Sequence, residues 1–220
     1  MVHKKTADRA APRPRGRPRA YDADAALAQA MAAFWRLGYT GTSLDQLSDA
    51  TDMNRPSLYA AFGDKRALYL QTLESYTERS KQGIAQALDP QLSLAEGLQR
   101  FYDSAIASYL PSGDPARGCY LIGTAVTEAL ADAEIRTRLA TALREFERLI
   151  EARIRKARDE GEIDAASDPQ ALALIAAALL YTMAIRSRAG ESRAVLRSVA
   201  TTAIDLICGR APARKRRRGQ

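Results

Sequence analysis

Residues that most often carry catalysis or bind metals are scarce in this sequence. Its 220 residues include one histidine, His3, and two cysteines, Cys119 and Cys208. This composition excludes a His-based catalytic triad and a metal site built from several His ligands, and it provides no disulfide framework. The sequence also has no CxxC pair and no glycine-rich phosphate-binding loop. These absences predict a protein that is not an enzyme and that carries no cofactor or metal.

Long hydrophobic runs are missing as well. The most apolar segment extends from Ala171 to Ile185 and ends at Arg186. A bilayer-spanning helix needs about 20 apolar residues, so this shorter run is typical of a buried core helix. The N-terminus is rich in Lys and Arg but has no apolar segment of the secretory type. We therefore expect a soluble, cytoplasmic protein without a membrane partner.

Acidic residues are rare at both ends of the chain. Residues 1–20 contain seven Lys or Arg and one Asp, and residues 210–220 contain six Lys or Arg and no acid. Because the whole chain carries a formal charge of +7, the residues between these ends are net acidic. A mildly acidic body with two cationic ends predicts a polyanionic partner that the ends contact. Two solvated tails that only aid solubility are the alternative.

The N-terminal segment "PRPRGRPR" alternates arginine with proline and glycine. Residues 1–20 have almost nothing to bury, so we interpret them as a disordered basic arm, and residues 210–220 as a disordered basic tail. The segment resembles an AT-hook, in which arginine lies in the narrow, electronegative minor groove of A·T-rich DNA. Arg17 and Arg19 are therefore candidate DNA contacts.

Strand signals are absent from Tyr21 onward, where no sustained alternation and no hairpin turn occur. Apolar residues instead recur at steps of three and four, which predicts an all-α fold of nine helices. Two short helices are expected within residues 42–62. The others are expected at residues 23–37, 64–88, 93–109, 117–131, 132–161, 168–190 and 191–208.

The stretch "TSLDQLSDATDMNRPSLYAAF" holds these two short helices on either side of a tight turn. Ser43 opens a capping box at the first helix, Asp52 suits a left-handed turn residue, and Asn54 caps the second helix. Leu58 and Phe62 point inward, so Arg55, Ser57 and Tyr59 remain outside. This predicts a helix-turn-helix whose second helix enters the DNA major groove. Periodicity alone leaves an ordinary corner between two helices as the alternative.

The longer segment "TSLDQLSDATDMNRPSLYAAFGDKRALY" resembles the DNA-binding domain of the TetR family of bacterial transcriptional regulators. The resemblance covers Tyr21 to about Tyr76. It depends on the pattern formed by Thr42, Leu47, Ser57-Leu58-Tyr59, Phe62 and Lys65. Two positions depart from the family pattern: Asp52 stands where glycine is usual, and Ala61 stands where a polar residue is common. We expect both departures to affect the choice of DNA sequence and not the fold.

This resemblance implies a TetR-like architecture, with a helix-turn-helix DNA-binding domain over residues 21–80 and a regulatory domain for ligand binding and dimerisation over residues 81–209. It also implies phosphate contacts by Thr42, Ser43, Tyr59 and Lys65, and a groove-facing surface formed by Asn54, Arg55, Pro56 and Ser57. Arg55 is the best candidate for a base contact, because arginine can pair bidentately with guanine. A plain phosphate contact is its alternative role.

The family resemblance further implies a homodimer that binds a palindromic operator in double-stranded DNA, and an unknown small-molecule effector bound in the regulatory domain. Helix 8 supports the dimer, because a helix that is apolar on nearly all sides must bury more than one face. Candidate effector contacts are Tyr76, Phe101, Tyr102, Tyr109, Cys119, Tyr120 and Ile122. Ordinary core packing is the alternative for each of these residues.

The predicted function is therefore a sequence-specific DNA-binding transcriptional regulator, a repressor that a small-molecule effector releases from its operator. Two alternatives remain at this point. Cys119, near the predicted start of helix 6 and near Arg117, could have a lowered thiol pKa and sense oxidants or electrophiles. The basic ends could instead belong to a non-specific architectural DNA-binding protein.

Overall fold

A computed structural model describes residues 22–209, and within this range the chain forms helices and no strands. The predicted all-α fold is confirmed, and this range contains nine α-helices with a π-helical segment, Leu121–Ala125, before the sixth. The helices are α1 (Ala23–Leu37), α2 (Leu44–Thr51), α3 (Arg55–Phe62), α4 (Lys65–Ala87), α5 (Leu94–Tyr109), α6 (Val126–Glu128), α7 (Ala133–Asp159), α8 (Pro169–Arg188) and α9 (Arg193–Ile207). The predicted arm with Arg17 and Arg19, and the predicted tail 210–220, lie outside the described residues.

Side-chain caps determine where the helices begin. Each α-helix of eight residues or more follows a residue whose side-chain oxygen accepts hydrogen bonds from free amides of the first turn. At α2, Ser43 and Gln46 complete the predicted capping box. At α8, Asp168 caps the helix and Pro169 occupies its first turn, as the sequence predicted. Because these caps are local sequence signals, the predicted helix starts agree with the structure within about two residues, except at helix 6.

The first three helices share a small core. Phe34 from α1, Leu47 from α2, and Leu58 and Phe62 from α3 are all buried. The N-terminal half of α4 completes this core and packs against α1, with Leu68 buried beneath α3. The inward placement predicted for Leu58 and Phe62 is confirmed. Since α3 contributes only two large side chains to the core, its opposite face stays open.

The remaining helices form a second bundle in which α8 packs against α7, α5 and α9. The inner face of α8 carries the buried alanines Ala173, Ala176, Ala177 and Ala184, which allow neighbouring backbones to approach closely. By length and composition α8 is the one helix within residues 22–209 that could cross a membrane, a test that core helices also pass. Its buried alanine face identifies it as part of the core of this bundle.

The sixth helix, predicted at residues 117–131, begins three residues later than predicted and its first part is π-helical. The amides of Arg117 and Gly118 both donate to the carbonyl of Tyr109, which holds this segment as a loop against the end of α5. Gly118 adopts a φ of +63°, and a Cβ atom there would lie 2.7 Å from the carbonyl oxygen of Ala184. This close approach to α8 requires glycine and delays the helix until Tyr120. The π-helical segment that follows borders the cavity described below.

Candidate nucleic-acid interface and ligand cavity

The turn between α2 and α3 has the geometry of a helix-turn-helix. Asp52 adopts a φ of +51° and is the only non-glycine residue with a positive φ among the described residues. The amide of Met53 donates back to the carbonyl of Ser48, and the Met53 side chain is buried beneath the turn. Asn54 then accepts a hydrogen bond from the amide of Ser57 and starts α3. The predicted turn and cap are confirmed.

The outer face of α3 is open to solvent. Asn54, Arg55, Pro56 and Ser57 are exposed at its N-terminal end, and Tyr59 is 46% exposed. These side chains remain exposed, although Leu58 beside them is buried. The structure therefore brings the predicted groove-facing residues together on one surface, which we call the α3 face (Asn54, Arg55, Pro56, Ser57 and Tyr59).

Arg55 is held by an acidic neighbour on α2. Its Nε and Nη2 atoms donate to Oδ1 of Asp45 at 2.9 and 2.6 Å. This hydrogen bond and the adjacent negative charge raise the pKa of the Arg55 guanidinium. Both side chains are more than half exposed, so the pair contributes little to stability. Its effect is to orient the guanidinium across the α2–α3 corner.

The two residues predicted to bind phosphate at the start of α2 occupy different environments. Thr42 is 1% exposed, and its hydroxyl donates to the carbonyl of Gly38 at 2.6 Å. Its side chain therefore stabilises the α1–α2 loop and does not reach the surface. Ser43 is exposed, and its Oγ accepts a hydrogen bond from the amide of Gln46. The positive end of α2 is thus presented beside Ser43 and not beside the Thr42 hydroxyl.

Lys65 opens α4 at the edge of this surface. Its Nζ atom lies 4.5 Å from the centroid of the Tyr39 ring, a cation–π arrangement. Partial burial lowers the pKa of the Lys65 ammonium, and the nearby Glu128 opposes this shift. The ammonium group of Lys65 is therefore held against the α1–α2 loop at the start of α4.

Three contacts connect the first helices to the rest of the molecule near this point. Thr40 donates to the Glu128 carboxylate at 2.9 Å. Arg66 donates through Nε and Nη2 to Asp132 at 2.5 and 3.0 Å, and also to Glu134 at 2.9 Å. The hydrogen bonds from Arg66 hold the pKa of the Asp132 carboxyl well below its usual range. The start of α4 is thereby tied to the start of α7.

A cavity of about 330 Å³ lies between α1, α4, α5, α7 and α8. Four of the seven predicted effector contacts line it, namely Tyr76, Phe101, Tyr109 and Cys119. Its other walls are mostly apolar, with Met31, Trp35, Ile84, Leu121, Leu143, Phe146 and Leu180 among them. A mostly apolar cavity with a few polar groups is typical of small-molecule sites.

The other three predicted effector contacts lie outside this cavity. Tyr102 is fully buried and donates its hydroxyl to the carbonyl of Ala176, which ties α5 to α8. The hydroxyl of Tyr120 pairs with Thr72 at 2.7 Å inside the core. Ile122 is half-buried against the core on the π-helical segment. For these residues the alternative of ordinary core packing is the better description.

Several cavity residues were not predicted from the sequence. Trp35 is buried and lines the cavity, and its indole N–H donates to the Arg117 carbonyl at 3.1 Å. Arg79, Arg117 and Tyr181 contribute the polar groups that sequence reasoning missed. Of these three, only Arg79 could have been predicted as a cavity residue from the sequence. It lies three residues after Tyr76 on the same helix and therefore on the same helix face.

The expected lowering of the Cys119 pKa is wrong. Burial raises the pKa of the Cys119 thiol above its usual value, although a hydrogen bond from the Tyr76 hydroxyl partly opposes this effect. Arg117 does not stabilise a thiolate, because its guanidinium stacks on the Trp35 ring instead. Since the thiolate is the reactive species, the structure disfavours Cys119 as a readily oxidised sensor.

A second exposed surface lies on α8 and α9. Leu174, Ile175 and Ile185 recur along one side of α8, and Val195, Val199 and Leu206 recur along one side of α9. All six are large apolar side chains that are more than a third exposed. We call this surface the α8–α9 face. Contiguous exposed apolar residues of this kind mark a protein interface.

Comparison with known protein families gives matches for both halves of the chain. Residues 26–72 match the family described as "Bacterial regulatory proteins, tetR family". Residues 95–203 match the family described as "Tetracyclin repressor-like, C-terminal domain". Among curated proteins, the HTH-type transcriptional repressor ComR of Escherichia coli K12 is 33% identical over 193 residues, which is 87% of this chain and 91% of that protein.

Solved structures give the same result for the fold. A cysteine mutant of the TetR family transcriptional regulator CifR, complexed with a 26-bp double-strand operator DNA, is 32% identical with a TM-score of 0.74. That match covers 86% of this chain and 98% of CifR. The reduced form of E. coli NemR is 16% identical and has a TM-score of 0.75. That match covers 84% of this chain and 95% of the NemR chain, and it shows the same fold.

Proposed function

The chain belongs to the TetR family of bacterial regulatory proteins, and from this premise we propose that it is a cytoplasmic transcriptional repressor released from its operator by a small-molecule effector. The α3 face carries the proposal, because polar and aromatic side chains are exposed there and, among the described residues, Arg55 alone of this face forms an ion pair, with the exposed Asp45 of α2. A helix of this length contributes little to the core and fits the major groove. CifR binds an operator duplex through the same family architecture.

The proposed DNA surface consists of Ser43, Asn54, Arg55, Pro56, Ser57, Tyr59 and Lys65. Ser43, Tyr59 and Lys65 contact phosphates, while Arg55 reads a base edge after leaving or sharing its contact with Asp45. Thr42 supports this surface through the α1–α2 loop and not through a phosphate contact of its hydroxyl. Arg17 and Arg19 extend the surface into the minor groove. No catalytic role is part of this proposal.

Two copies of the chain are required for high affinity, since one short helix reads few base pairs. The α8–α9 face supplies an apolar surface on which a second copy packs to form a four-helix bundle. A two-fold dimer then presents two α3 faces to a palindrome. Binding to consecutive major grooves requires their centres to lie about 34–36 Å apart.

Release follows from a ligand that favours a different spacing of the two α3 faces. The cavity is walled on one side by α4, whose first residues, Lys65 and Arg66, adjoin the DNA surface. It is also walled by Trp35 of α1. A ligand that displaces either wall changes the position of the helix-turn-helix relative to the dimer bundle.

Selection from randomised duplexes, followed by competition against unselected DNA, tests the proposed sequence specificity. A regulator should prefer its selected palindrome by about 10³-fold or more. A preference below about 10-fold would identify a non-specific architectural DNA-binding protein and would contradict the proposal. The salt concentration must be held constant, because phosphate contacts make both affinities depend on it.

We predict that Arg55→Ala weakens binding to the selected palindrome by about 1–3 kcal/mol, the range for loss of a bidentate base contact. Binding to random duplexes should fall much less, because that binding depends on phosphates. Fluorescence anisotropy with both duplexes measures the difference. Arg100→Ala, an exposed arginine on α5 without an ion pair among the described residues, is the matched control. Equal losses on both duplexes would contradict a base contact.

We predict that Gly83→Leu blocks effector release without weakening operator binding. Gly83 lines the cavity mouth within α4, and a Cβ atom there meets no atom within 4 Å, so a leucine side chain can enter the cavity. Replacing glycine inside a helix also favours the helix. Compounds that dissociate the wild-type operator complex, measured by anisotropy, should leave the Gly83→Leu complex intact. A compound that releases both proteins equally acts outside the cavity and contradicts this part of the proposal.

A further inference from the structure

The cavity carries positive charge that no carboxylate among the described residues neutralises. Its lining residues include Arg79 and Arg117, and none of them is Asp or Glu. Neither arginine has a carboxylate within 4 Å among the described residues, whereas arginines such as Arg66 and Arg153 do. Other described arginines, such as Arg100, also lack an acidic partner. Arg79 and Arg117 differ from Arg100 because they line a mostly apolar cavity.

The two guanidinium groups lie on the same side of the cavity. Nη2 of Arg79 is 3.6 Å from the sulfur of Met31, and Cζ of Arg117 is 4.6 Å from the centroid of the Trp35 ring. Met31 and Trp35 are four residues apart on α1, which places them one turn apart on one helix face. Both cations are therefore positioned over adjacent turns of α1.

Both guanidinium groups retain unused donors. Arg117 donates from Nε to the Ser108 carbonyl, and Arg79 donates from Nε and Nη2 to Ser75 and from Nη2 to Met31. Nη1 of Arg79 and both Nη atoms of Arg117 make no hydrogen bond within residues 22–209. Guanidinium groups bind carboxylates and similar planar or tetrahedral anions with such paired donors.

The rest of the cavity lining is mostly apolar. Phe101, Phe146 and Leu180 line it and offer only apolar contacts. Tyr181 also lines it, although its hydroxyl is shielded from solvent and has no hydrogen-bond partner among the described residues. This apolar lining accommodates the non-polar part of a ligand.

We propose that the effector is an amphipathic organic anion, with its negative head group on Arg79 and Arg117 and an aromatic or aliphatic body in the apolar interior. This inference rests on the proposed function of the cavity as the effector site. It also connects binding to DNA release, because the guanidinium of Arg117 that holds the anion also stacks on Trp35 of α1. Neutral apolar molecules would enter the cavity but lack this contact.

Two fluorescent probes with the same ring system test the charge preference. The first is 1-anilinonaphthalene-8-sulfonate and the second is N-phenyl-1-naphthylamine, which lacks the sulfonate. Titration of the full-length wild-type chain should give one site per subunit for each probe, with the sulfonate bound about 10-fold tighter or more, as expected for charge-assisted hydrogen bonds. Equal affinity, or preference for the amine, would overturn the anion assignment while leaving an apolar effector cavity in place.

Variants of the two arginines test whether Arg79 and Arg117 cause the preference for the sulfonate. Arg79→Gln and Arg117→Gln should each weaken sulfonate binding about 10-fold and change amine binding by less than about 2-fold, so the amine shows that the cavity is intact. Arg100→Gln, which removes an arginine that does not line the cavity, should change neither probe. Unchanged sulfonate binding in both arginine variants would overturn the inference. If Gly83→Leu does not reduce binding of either probe, the probes bind elsewhere, and both this inference and the proposed effector cavity fail.

Discussion

A glutamate at Ile175 or Leu206 will convert the protein from a dimer to a monomer at micromolar concentration. The two residues are 56% and 66% exposed on the α8–α9 face, one on each helix. In a two-fold interface each substitution occurs twice and places a carboxylate in an apolar environment without a partner. Burying such a charge costs several kcal/mol, so we expect dimer association to weaken by about 10³-fold.

Operator binding should fall with dimerisation, because a monomer contacts one half-site only. Light scattering after size-exclusion chromatography measures the mass, and anisotropy measures the operator affinity of the same samples. The control is Leu130→Glu, since Leu130 is 86% exposed but lies after α6, away from the α8–α9 face. If Ile175→Glu and Leu206→Glu remain dimeric like the control, the α8–α9 face is not the interface.

The second large effect concerns a buried charge between α7 and the loop before α8. The side chain of Arg153 is 3% exposed, and its Nη2 donates to the Glu162 carboxylate at 2.8 Å and to the Leu92 carbonyl at 2.7 Å. Its Nε and Nη1 atoms are buried without partners. Glu162 is therefore the only carboxylate that compensates this charge among the described residues.

We predict that Glu162→Ala lowers the free energy of unfolding by about 3–5 kcal/mol, the cost of leaving a buried charge uncompensated. Urea unfolding followed by circular dichroism measures the loss. The double variant Arg153→Met with Glu162→Ala should recover a large part of it, because an apolar side chain of similar length removes the stranded charge. A single-variant loss below about 1 kcal/mol would show that water compensates Arg153 instead.

The same pair predicts the direction of a pH effect. Partial burial alone would raise the pKa of the Glu162 carboxyl, but hydrogen bonds from the Leu94 amide and from Arg153 outweigh it, and the net shift is downward. A carboxyl whose pKa is lowered by folding stabilises the protein above its unfolded pKa of about 4.3. That contribution is lost as the pH falls through the lower pKa of the folded state. The difference between wild type and Glu162→Ala should therefore shrink below about pH 4.

The helices and the turn could be predicted because their signals are local. Ser43, Asn54 and Asp168 act within three residues of themselves, and Asp52 needs only its own backbone geometry. The α3 face followed from the same logic, since two buried side chains determine which residues point outward. The resemblance in this segment then identified the family from about a quarter of the chain.

The cavity could be predicted only in part, because long-range packing decides which inward side chains line a space. Tyr102 and Tyr120 have the same residue type and burial as Tyr109, yet their hydroxyls bond to Ala176 and Thr72 in the core. The loop before Tyr120 depends on the approach of Gly118 to α8, which no local pattern encodes. The placement of Arg117 over Trp35 likewise joins residues 82 positions apart.

The central claim is that the α3 face lies in the major groove, with Arg55 on a guanine. Replacing single guanines of the selected operator with 7-deazaguanine removes the N7 acceptor, which is accessible only from the major groove. We predict that one symmetric pair of replacements weakens wild-type binding by about 1–3 kcal/mol and adds nothing to the loss in Arg55→Ala. If every replacement affects wild type and Arg55→Ala equally, Arg55 does not read a base in the major groove and the account is contradicted.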